Sequence, residues 1–93
     1  MEEDPDGGKE NANERNLGTQ PLDGIMLALG TTNHSLVGTS PFPMTHKAVQ
    51  RARKGRKLTR HMQRRITQAL NAWCAANGVE QVYKEDALFN YQG

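Results

Sequence analysis

Residues 45–77 read THKAVQRARKGRKLTRHMQRRITQALNAWCAAN, and this stretch decides the fold. In its second half Met62, Ile66, Ala69, Leu70 and Trp73 recur at i, i+4, i+7, i+8 and i+11, the spacing of one helix face. Thr59 is placed to cap that helix and Asn77-Gly78 to stop it, which predicts one long amphipathic helix. In the first half Thr45 caps a helix over about 45–54, and Gly55 ends it. Its apolar residues are only Ala48, Val49 and Ala52; every other position is polar or cationic. A helix so thinly apolar fastens to its own core by one narrow stripe and turns the rest toward something else.

Upstream, Pro21 suits a first helical turn, and Leu22, Ile25, Met26 and Leu29 follow at i, i+3, i+4 and i+7 before Gly30. Asn33, preceded by Thr31 and Thr32, is a good N-cap for a second short helix carrying Leu36 and Val37. Pro41 and Pro43 disfavour helical geometry at Ser40 and Phe42, so a rigid turn follows, with Phe42 as its apolar plug. Residues 1–20 hold Leu17 as their only large apolar side chain after Met1, too little to offset the entropy of ordering. A disordered acidic arm is expected there, solvated or folded back on the basic centre. Beyond Gly78, Val79, Val82 and Tyr83 suggest an extended piece, and Ala87, Leu88, Phe89 and Tyr91 an apolar tail. That tail packs on the long helix or across a dimer seam. The expected organisation is an acidic arm over 1–20, a helical domain over 21–78 and a short extended tail over 79–93. The fold class is all-α, a small bundle of four or five short helices.

Charge is distributed unevenly over the 93 residues. Residues 1–20 carry six acids and two bases, a balance of −4, and residues 21–93 carry ten bases and four acids, a balance of +6. Nine bases and no acid fall within residues 45–65. No run approaches the roughly 18 to 20 apolar residues of a membrane span, and the acidic N-terminus is the reverse of a signal peptide. A chain that stays in the cytoplasm is expected. Cys74 has no partner for an internal disulfide, and His34, His46 and His61 stand apart from one another and from any carboxylate. No metal site, no cofactor and no catalytic group is expected, and no small-molecule ligand is evident.

Short helices joined by tight turns present one helix outward, and an α-helix fits the major groove of B-form DNA. The helix over about 45–54 is the candidate. His46, Lys47, Gln50 and Arg51 would meet base edges, Gln50 pairing with adenine and Arg51 with guanine. Thr45, with the amides of the helix N-terminus, would meet a phosphate, as would Lys54, Arg56, Lys57, Arg60 and Arg64. Arg53 and Arg65 belong to the same basic run and read as backbone clamps.

The stretch Thr45-His-Lys-Ala-Val-Gln-Arg-Ala-Arg-Lys-Gly-Arg, followed by Leu58-Thr59 and Ile66-Thr-Gln-Ala-Leu-Asn71, resembles the second half of the helix-turn-helix domain of phage-repressor-like regulators of the lambda-repressor type. In that family an apolar residue matched here by Val49 anchors the recognition helix. A glycine matched by Gly55 precedes the loop to the next helix. The resemblance spans residues 21–77, and the turn 38–44 is longer than the family's. It implies a sequence-specific regulator that binds double-stranded DNA through its third helix. Beside the resemblance, the residues of the C-terminal tail offer a seam for a homodimer, as an alternative to packing on the long helix. Two other readings of the same charge are a protein-interaction module, antitoxin-like or adaptor, that binds an acidic partner, and a non-specific nucleic-acid binder.

Overall fold

The computed structural model describes residues 17–91. Among them are five helices and no strand: α1 Pro21–Leu29, α2 Asn33–Thr39, α3 His46–Lys54, α4 Arg60–Ala76 and α5 Glu85–Leu88. The all-α bundle read from the sequence is thus the observed architecture.

Each long helix forms for legible local reasons. Thr45 Oγ1 accepts the Ala48 amide and Thr59 Oγ1 the Met62 amide, both as caps. Gly30 and Gly55 close α1 and α3 in the left-handed region. Asn77 caps α4, and its amide reaches the Trp73 and Cys74 carbonyls. The second helix departs from expectation in one detail: Thr32, not Asn33, is the N-cap, accepting the Ser35 amide. Asn33 is released for another bond.

One core joins all five elements. Leu22 and Met26 of α1, Leu36 of α2, Val49 and Ala52 of α3, and Ile66, Ala69, Leu70 and Cys74 of α4 are buried, with Leu88 and Phe89 from the tail. Each fully buried aliphatic side chain stabilises the fold by about 1.5–3 kcal/mol relative to exposure. The narrow stripe of α3 is as read, Val49 and Ala52.

Two boundaries move. The sequence reading runs the acidic arm to residue 20; residues 1–16 lie outside the described residues, but residues 17–20 are bound to the end of α3, with Gln20 buried and Leu17, Gly18 and Thr19 exposed. The Leu17 amide donates to the Gly55 carbonyl at 2.7 Å and the Gln20 amide to the Arg53 carbonyl at 3.0 Å. Gln20 is buried, its side chain donating to the Gly18 carbonyl and accepting the Asn90 amide. Backbone pairing and a satisfied amide order this segment where hydrophobicity predicts nothing. The tail is not extended throughout: residues 79–84 are irregular, held by Asn71, whose amide exchanges two bonds with the Tyr83 backbone, and α5 follows. Leu88 and Phe89 enter the core of the chain itself, which removes them from the seam expected of the tail.

Candidate nucleic-acid interface

The spacing of α3 puts Val49 and Ala52 inward, so Lys47, Gln50, Arg51 and Lys54, at i, i+3, i+4 and i+7, share the opposite side. Lys47, Gln50 and Lys54 are exposed, as are Thr45 and His46 at the helix start. Arg51 is half-buried with its Nε closed off from solvent, and Arg56 is half-buried with one guanidinium nitrogen likewise enclosed. These two cations are held closer to the protein than the lysines. The basic last turn of α3, with Arg51, Arg53 and Lys54, also suits the negative end of the helix dipole.

A chain of polar contacts crosses from α1 to the outer side of α3. Arg53 Nε donates to Asp23 Oδ1 at 2.6 Å, and its Nη1 to Asn33 Oδ1 at 2.7 Å. Asn33 Nδ2 in turn donates to Gln50 Oε1 at 2.8 Å. Arg53 is therefore no phosphate clamp. Its side chain is 15% exposed and its charge is matched by Asp23, so it ties α3 to α1 and α2. The reading of Arg65 as a clamp also gives way, since its guanidinium lies 4.8 Å from the Phe42 ring centroid and braces the turn between α2 and α3.

At the helix start His34 and His46 stack with centroids 5.3 Å apart, and Nδ1 of the first lies 3.1 Å from Nε2 of the second. A hydrogen bond between two ring nitrogens needs one of them bare, so one ring donates and the other accepts. Of the N-terminal amides of α3, that of Ala48 is spent on the Thr45 cap.

The loop from α3 to α4 is fixed by the tail. The Tyr91 hydroxyl accepts the Leu58 amide at 2.9 Å and donates to the Arg56 carbonyl at 3.1 Å, which holds the backbone on both sides of exposed Lys57. Arg60 and Arg64 line a hollow with Lys84, Glu85, Asp86 and Tyr91, and Arg64 lies 3.8 Å from Glu85. Two carboxylates there offset part of their charge. Sequence reasoning reads Asn33 only as a cap and Tyr91 only as part of an apolar tail, and it passes over Asp23. For Asp23 a signal existed, because it is the one acid between residues 15 and 79 of a basic chain.

Among the described residues no group of histidine, cysteine or carboxylate side chains could hold a metal ion. No helix among them is long and apolar enough to cross a membrane. Comparison of the chain with protein-family models, with curated proteins and with solved structures finds no match.

Proposed function

We propose that this chain is a sequence-specific double-stranded DNA-binding regulator that lays α3 in the major groove. The observation that carries the reading is the outer stripe of α3. Lys47, Gln50, Arg51 and Lys54 occupy one side of a short helix held to the core by Val49 and Ala52, and one of them, Gln50, is fixed by a side chain of α2. A solvated charged face has no need of such fixing. A base reader has, because an immobilised amide loses less rotamer entropy on contact. Lys47 and Gln50 then reach base edges, with His46 and Arg51 beside them. Lys54, Lys57 and the helix start at Thr45 supply phosphate contacts, with Arg56, Arg60 and Arg64 at the margins. Binding as a dimer fits the size of the domain. With Leu88 and Phe89 inside the subunit, a contact through the tail falls to Val82, which is 75% exposed.

The test is selection from a random duplex library at about 150 mM salt, followed by sequencing of the bound pool. A two-fold symmetric motif with half-sites about 34 Å apart is expected. Retention without enrichment would reduce the chain to a backbone binder, and no retention would favour an acidic protein partner.

A further inference from the structure

We infer that Gln50 is locked with its amide nitrogen outward, so that the base it meets is guanine and not the adenine expected of a free glutamine. The inference rests on the proposed reading of α3 and adds the chemistry of the target. An amide alone leaves its two ends ambiguous, but this chain of bonds begins at groups with no ambiguity. Asp23 only accepts and Arg53 only donates, at 2.6 Å. The next bond of Arg53, at 2.7 Å, must therefore end on an oxygen, which makes Oδ1 the end of Asn33 that faces it. Nδ2 is then the end left to donate, and across 2.8 Å Gln50 must answer with Oε1. The polarity set by the donor-only guanidinium of Arg53, itself held by Asp23 of α1, is thus passed through Asn33 to the surface of α3.

The consequence is an outer stripe that offers donors. Gln50 presents Nε2, and Lys47, Arg51 and Lys54 possess no acceptor. In the major groove guanine presents two acceptors, N7 and O6, whereas adenine pairs an acceptor with the N6 donor, cytosine presents the N4 donor, and thymine presents a single acceptor, O4, beside its methyl group. A stripe of donors is matched by guanine, and an outward Nε2 meets O6 without the repulsion that an exocyclic amine would bring.

The experiment uses the full chain and three substitutions in the same duplex selection. Gln50→Ala relaxes one position and thereby identifies the base pair that Gln50 faces. Wild type is expected to select guanine there by about tenfold or more. Asn33→Asp keeps the bond to Arg53 and adds a carboxylate in the first turn of α2, where the helix dipole favours it, so the fold is retained. The introduced carboxylate can only accept, so Gln50 must turn Nε2 inward and Oε1 outward, and the preference is expected to move to adenine or cytosine. Gln50→Glu, also bonded by Asn33, is expected to select cytosine. Selection of adenine, cytosine or thymine by wild type, or an unchanged motif in Asn33→Asp, would overturn the inference. The side-chain amide NMR spectrum of the free protein separates the lock from the DNA reading. Protected Asn33 hydrogens and exchanging Gln50 hydrogens support the lock even if no motif is found, and the reverse pattern overturns it.

Discussion

Gly55 ends α3 at a φ of +96°, and a Cβ built on it would overlap the Gly18 carbonyl. Two separate constraints thus demand glycine: the left-handed backbone and the packing of the Leu17-Gly18 segment on the helix end. Gly55→Ala is expected to destabilise by about 1–3 kcal/mol in chemical denaturation, more than the loss at an open left-handed position such as Gly78. At Cys74 burial alone pushes the thiol above its ordinary range, with the side chain 1% exposed. A raised folded value stabilises the neutral form. Its contribution is present in full below the ordinary thiol value of about 8.5 and is lost as pH rises through the folded value. Wild type is therefore expected to lose stability in alkali more steeply than Cys74→Ala. Iodoacetamide should label the thiol only at the rate of opening, and fast labelling of the native chain would show that the core around α4 is not closed.

At the scale of elements, the four-residue helix α5 does more than its length predicts, because Leu88 and Phe89 close the core. Leu88→Ala is expected to cost about 2–5 kcal/mol, the range of a buried leucine, with unfolding still cooperative. A loss below about 1 kcal/mol would mean that the tail is only laid on the surface. This insertion was only half legible in the sequence. Helices α1, α3 and α4 announce themselves because periodicity, caps and stop glycines are local signals, and Val49, Ala52, Ile66 and Leu70 could be placed in the core from spacing alone. The cap of α2 is ambiguous in the sequence because Thr32 and Asn33 are both good cap residues; the bond from the Ser35 amide to Thr32 settles it, and the bonds of Asn33 to Arg53 and Gln50 show where that side chain is needed. For the candidate site, the exposure of Lys47, Gln50 and Lys54 follows from helical phase. The withdrawal of Arg53 into an ion pair does not, since its partner lies 30 positions away. Long-range polar contacts between single side chains leave no periodic trace.

The whole molecule carries its cations unequally. With Arg53 paired to Asp23 and Arg65 stacked on Phe42, the exposed bases near α3 are Lys47, Lys54 and Lys57, and Arg60 and Arg64 stand farther along α4 beside two acids. About four phosphate contacts per subunit are expected, so the logarithm of affinity should fall with that of salt at a slope of about −4. Lys57→Ala should weaken all duplexes alike and lower the slope by about one, whereas Arg53→Ala should leave the slope and lower stability. A changed slope in Arg53→Ala would return that residue to the contact surface. The same molecule brings its described ends together: Asn90 donates to Gln20, Leu17 to Gly55, and Tyr91 spans the loop beyond Gly55. The helices are therefore strung on what is nearly a closed ring. A circular permutant that links residue 91 to residue 17 and opens the chain at exposed Gln81 should keep the bundle, for its order along the chain is not what holds it.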